Sequence, residues 1–165
     1  MKRTATATTC AAALLATVLA GCSDSTGDTS GDGYGSAASS ASPSKAATVD
    51  TKSASGLGTI LVDEKGRTLY LFLADKKNKS NCQGDCAKAW PPLLSKGEAT
   101  AGKDVDKKLL GITKRSGGDE QVTYNGHPLY YYAGDKKPGQ TNGQNLDQFG
   151  AEWYVLNAKG KQVDS

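Results

Sequence analysis

Two stretches sixty residues apart, Gly66-Arg-Thr-Leu-Tyr-Leu-Phe-Leu-Ala-Asp75 and Gly126-His-Pro-Leu-Tyr-Tyr-Tyr-Ala-Gly-Asp135, share the pattern Gly-x-x-Leu-Tyr-x-(Phe/Tyr)-x-x-Asp. Each is followed by a lysine pair, Lys76-Lys77 and Lys136-Lys137. Five defined positions recurring at one offset in so short a chain mark an internal duplication, which commits the fold to two related units. The alternation in the first copy sets Tyr70 and Phe72 on one face of a strand and Leu69, Leu71 and Leu73 on the other. Both faces are apolar, so the strand is expected to be covered on both sides.

The N-terminus prescribes an address. Lys2 and Arg3 precede a small, apolar run from Ala5 to Ala20, and the run ends in Leu19-Ala20-Gly21-Cys22. A basic start, an apolar centre and small residues at the end form a removable secretion leader, and the run is too short and Thr-rich for a good membrane span. The ending resembles a bacterial lipobox, which implies cleavage before Cys22 and diacylation of that cysteine. Residues 1–21 are therefore read as leader. Residues 22–56 follow as a lipid-anchored flexible linker, being Ser, Gly, Ala, Thr and Asp with a single aromatic, Tyr34, and too little apolar surface to offset the entropy of ordering.

The precursor carries a formal charge of +3, but loss of the leader leaves 18 basic against 17 acidic side chains. No basic stripe interleaved with aromatics appears, so nucleic acid is not an expected partner. Residues 57–163 suffice for one modest domain, with repeat one at about 57–95 and repeat two at about 109–163. With Cys22 lipidated, Cys82 and Cys86 are the only internal pair left in the mature chain, and outside the cytoplasm they are expected to be oxidised.

Along the chain, Thr59–Val62, a turn at Asp63–Gly66 and Thr68–Ala74 read as a hairpin. Asp85 is placed to cap a short helix through Trp90 that Pro91-Pro92 ends, with the disulfide pinning its entrance. Residues 109–113 and 120–124 read as paired strands, and Asn125-Gly126 is a strong hairpin signal. A further aromatic strand, Leu129–Ala133, repeats the first motif; residues 134–148 read as a loop, and 153–156 as a last strand. Trp90 and Trp153 recur after the two motifs. The expected fold is mostly β: one compact domain of two tandem antiparallel β-hairpin repeats with a short helix, with an open sheet and barrel-like closure both compatible with the pattern.

The pattern resembles a family of secreted, repeat-containing bacterial lipoproteins of unknown function defined by a Tyr-x-aromatic-x-x-Asp motif. That motif falls on Tyr70, Phe72 and Asp75 and again on Tyr130, Tyr132 and Asp135, and the Cys82, Cys86, Trp90, Pro91, Pro92 segment also fits. The resemblance implies an architecture and an envelope location, and no chemistry.

Several residues remain candidates for a site. Asp75 and Asp135 could together hold a hard cation with loop carbonyls, or each could accept backbone N–H groups from its own following turn. His127, the only histidine, would need Asp, Cys or outside ligands to form a metal site. Cys82 and Cys86 lack the Cys-x-x-Cys spacing of a thioredoxin-like centre. The dense aromatics, beside Asn142, Gln144 and Asn145, suit either a core or an open face that stacks a glycan or small apolar ligand. These observations are read as an envelope lipoprotein with a non-enzymatic binding or structural domain. The alternatives are a redox or electron-transfer accessory using Cys82 and Cys86 or a bound cofactor, and a metal-binding module using Asp75, Asp135 and His127. No cofactor is assigned. Expected partners are the membrane, through the lipid, and an envelope protein, glycan or small molecule.

Overall fold

In the computed structural model the described residues are 43–164. The expected leader, the lipidation site Cys22 and the linker as far as residue 42 lie outside them. Nine strands and one short helix follow in order: β1 (Thr48–Ala54), β2 (Gly58–Asp63), β3 (Tyr70–Phe72), α1 (Asp85–Ala89), β4 (Thr100–Ala101), β5 (Leu110–Lys114), β6 (Glu120–Tyr124), β7 (His127–Pro128), β8 (Leu146–Gln148) and β9 (Ala151–Val155). They form three three-stranded sheets, ordered β2-β1-β4, β3-β9-β8 and β5-β6-β7, none of which closes on itself. The protein is thus mostly β with a short helix.

The finer expectation of two tandem hairpins needs correction. Strand β2 does turn back at Asp63–Arg67, where Asp63 N donates to Arg67 O at 2.9 Å. Its ladder, however, runs with β1, from Val49 opposite Asp63 to Ala54 opposite Gly58. Strand β3 pairs with β9 from the other repeat, Phe72 lying opposite Trp153. The first hairpin shrinks to its turn because β3 is apolar on both faces and gains more from a central place between two cores. Strand β1 lies in the stretch read as linker. Its alternating Val49, Thr51 and Ser53 fit a sheet surface, and the composition around it masked that local pattern.

The expected alternation is realised as two cores. Leu61, Leu69, Leu71, Tyr154 and Leu156 pack on one side with Val122, Tyr124 and Leu129. Ile60, Val62, Tyr70, Phe72, Trp153 and Val155 pack on the other with Trp90, Tyr130 and the cysteines. The β5–β6 hairpin and the two-residue Asn125-Gly126 turn form as read, with φ values of 50° and 82° and Tyr124 opposite His127. Leu129–Ala133 does not form a strand of its own; Tyr130 makes isolated bridges to Tyr70 and Pro92. Strand β8 falls within the expected 134–148 loop. Helix α1 is capped otherwise than expected: Gly84 is the N-cap, and Asp85 is the first helical residue, its carboxylate accepting from Lys88 Nζ at 2.8 Å.

Candidate functional site

The motif residues converge on one place, where the tyrosine–aspartate pairs and the ring stacking cross from one repeat to the other. Tyr70 N donates to Tyr130 O at 2.8 Å, and Tyr130 N donates back to Tyr70 O at 3.0 Å. The tyrosine hydroxyls then diverge. Tyr70 Oη donates to Asp135 Oδ2 at 2.7 Å, while Tyr130 Oη donates to Asp75 Oδ2 at 2.6 Å. Each repeat's tyrosine is therefore bound by the other repeat's aspartate.

The second carboxylate oxygen serves the local loop. Asp75 Oδ1 accepts Asn81 N at 2.6 Å, and Asp135 Oδ1 accepts Asn142 N at 2.9 Å. Asp75 and Asp135 are thus engaged twice over by protein donors. Burial raises the Asp75 carboxyl above the ordinary carboxylate range, against the opposing effects of the Asn81 N–H, the Tyr130 hydroxyl and Arg115. Both phenols are pushed well above their usual range, by burial first and then by the facing carboxylate. The hydroxyls therefore stay protonated donors across the physiological range.

The rings repeat the exchange. Phe72 stacks on Trp153 (centroids 4.1 Å apart, planes at 10°), Trp153 on Trp90 (3.9 Å, 5°), and Trp90 on Tyr132 (4.3 Å, 31°). Tyr70 and Tyr130 close the four-ring stack edge-on, against Trp90 and Trp153 respectively. Both tryptophans are fully buried, with the indole N–H of each bound to Gln148: Trp90 Nε1 to its Oε1 at 2.9 Å and Trp153 Nε1 to its backbone O at 3.0 Å. Aromatic pairs of this kind contribute about 0.5–1.5 kcal/mol each beyond their buried area.

The lysine-pair loops also cross over. After Lys76-Lys77, Asn78 N donates to Gly126 O at 2.7 Å; after Lys136-Lys137, Gly139 N donates to Gly66 O at 2.9 Å. Asn78 and Gly139 both adopt positive φ, at 56° and 79°. Exchanging the labels of the two repeats leaves this description nearly unchanged, so the repeated residues act as an internal clasp.

The remaining candidates lie apart from any shared chemistry. Cys82 and Cys86 are bonded to each other and are 0% and 6% exposed, which leaves little sulfur for a thiolate to attack. Arg115 braces this corner, Nη2 donating to Cys82 O at 2.6 Å and Nη1 to Ser80 Oγ at 2.8 Å. Ser80 Oγ in turn lies 2.7 Å from Tyr130 Oη. His127 is half-buried at the start of β7, and burial holds its imidazole below the usual pKa. Among the described residues no group of three or more His, Cys, Asp or Glu is placed to hold a metal. The amides read as flanking a glycan have partners within the protein: Gln144 Nε2 donates to Val163 O at 2.8 Å, and Asn145 Oδ1 accepts from Tyr154 Oη at 2.9 Å.

Sequence reading missed the clasp's supporting residues. Asn81 and Asn142 were detectable as an asparagine trailing each motif aspartate by six or seven residues. Ser80, Arg115 and Gln148 carried no such signal.

A family model described as a secreted repeat of unknown function, within a lipoprotein family, matches the chain twice, over residues 51–94 and 111–157. No curated protein and no solved structure matches the chain. The family's name and description support an extracytoplasmic, membrane-associated location.

Proposed function

The chain belongs to this family of secreted lipoprotein repeats, and on that premise we propose that it is a lipid-anchored, non-enzymatic envelope module that holds a rigid binding or structural domain outside the cytoplasm. Cys22 carries the lipid, and the residues between it and β1 give the domain reach from the membrane. The observation that carries the reading is the crossed clasp. The tyrosines, aspartates and tryptophans that recur are engaged by one another, so the motif builds the scaffold and leaves ligand contact to other surface.

Anchoring is tested by membrane fractionation of the Cys22→Ala chain. The variant should leave the membrane fraction while its domain keeps the wild-type unfolding transition; retention in that fraction would refute the anchor. The module reading is tested separately, by Asp75→Asn and Asp135→Asn. Both should lower stability without abolishing binding of envelope components to the folded protein.

A further inference from the structure

The two repeats part company on the outer face of the β5–β6 hairpin. Gly111 lies opposite Thr123 in that ladder. A Cβ on Gly111 would stand 2.8 Å from Thr123 Oγ1, so the missing side chain leaves a depression beside the hydroxyl. The depression measures about 530 Å³ and is walled by Lys77, Lys108 and Lys114, with Asn125 on its rim. Thr123 is only 1% exposed, and its hydroxyl has no hydrogen-bond partner among the described residues. No fully buried polar side-chain atom there lacks a partner, so this oxygen opens onto the depression.

The charged residues that line it are all basic, with Glu120 opposite Lys114 in the ladder but outside the lining. No residue lining the depression is acidic, and among the described residues none of the three lysines enters an ion pair. Lys77 is held in position, its stem laid over Gly126, where a Cβ would meet Lys77 Cγ at 2.8 Å. Repeat one has no counterpart. Leu69 N donates to Leu61 O as Leu129 N donates to Val122 O, which makes Val62 the equivalent of Thr123 and Asp50, opposite Val62, the equivalent of Gly111. There the hydroxyl is replaced by a buried apolar side chain and the open floor by a carboxylate.

We propose that the Gly111–Thr123 depression binds a phosphate ester, either soluble or as the headgroup of an anionic lipid. A phosphate monoester carries a charge near −2 with three acceptor oxygens, and the diester of a lipid headgroup a charge of about −1 with two; either matches several ammonium groups and a hydroxyl donor at one place. Lysines outside any ion pair on a concave surface concentrate such anions. The assignment rests on the reading of the domain as a binding module and is independent of the anchor.

The test titrates the full chain carrying Cys22→Ala with glycerol phosphate, following the Gly111 and Thr123 amide resonances, and in parallel with vesicles of phosphatidylglycerol or of phosphatidylcholine. Saturable binding of glycerol phosphate supports a soluble ester; binding only to phosphatidylglycerol vesicles supports a lipid headgroup. In either case Thr123→Val should weaken binding about ten-fold, the effect of one hydrogen bond to a charged group. Paired Lys108→Gln and Lys114→Gln changes should weaken it at least as much, and paired Lys159→Gln and Lys161→Gln changes should leave it unaltered. These lysines are exposed and the valine is isosteric, so folding is retained and is checked by the wild-type unfolding midpoint. Equal loss from the two lysine pairs, no effect of Thr123→Val, or no saturable binding of either probe would overturn the proposal.

Discussion

Repeat one and repeat two use the same residues in the same roles at the clasp and different residues away from it. At the clasp, Tyr70 and Tyr130, Asp75 and Asp135, and Trp90 and Trp153 are interchangeable in the contact pattern. Away from it, repeat one carries the disulfide and a buried Asp63 that accepts from Arg67 Nε at 2.8 Å and from Tyr131 Oη at 3.1 Å. Repeat two carries the open Gly111 floor and the Thr123 hydroxyl, which has no hydrogen-bond partner among the described residues. Duplicated residues are held alike by their dependence on one another, because changing one side of a buried crossed pair strands its partner. Residues outside the crossed pairs are not tied to a repeat-equivalent partner in this way and can diverge.

The largest expected effect comes from the stack. Trp90→Ala and Trp153→Ala should each cost about 3–5 kcal/mol in denaturant unfolding, since each removes a fully buried inner ring of the stack. Similar losses would confirm equivalence of the repeats, and a loss confined to one would break it.

Double-mutant cycles sharpen the comparison further. Tyr70→Phe with Asp135→Asn, and Tyr130→Phe with Asp75→Asn, should show coupling of about 1–3 kcal/mol. The same-repeat combinations, Tyr70→Phe with Asp75→Asn and Tyr130→Phe with Asp135→Asn, should be close to additive. Strong coupling within a repeat would contradict the crossed arrangement.

The disulfide tests an asymmetry. Replacing both Cys82 and Cys86 by Ser should cost about 2 kcal/mol or less, because the closed loop is short. The loss should appear as faster amide exchange at Asp85–Ala89, with the repeat-two strands little changed.

Smallest is a pH effect at Asp75. Its folded pKa lies above the unfolded value because of burial, so its contribution favours the folded state at low pH, below the unfolded value, and is lost as pH rises through the folded value. Asp75→Asn should remove that portion of the slope of stability against pH in the mildly acidic range. Tyr130→Phe should raise the Asp75 midpoint further in a carboxyl NMR titration, since the hydroxyl favours the charged form.

Much of this molecule is local and could be read from the chain. The Asn125-Gly126 turn forms because both positions accept positive φ, and the two-faced burial of Leu69–Phe72 follows from alternation. Strand β1 was hidden because a Ser- and Thr-rich sequence is equally compatible with a linker until a neighbour pairs with it. The depression at Gly111 was invisible, since a lone glycine and a threonine on different strands carry no joint pattern.

The sequence by itself determined that there are two copies, which side chains alternate to which face, and where short turns fall, because these depend on backbone sterics and period. Tertiary structure alone decided that the copies exchange partners. A motif fixes the donors and acceptors it offers, but whether Tyr70 reaches Asp75 or Asp135 depends on which strand lies beside it, and that is settled by burial of the rings across the whole domain.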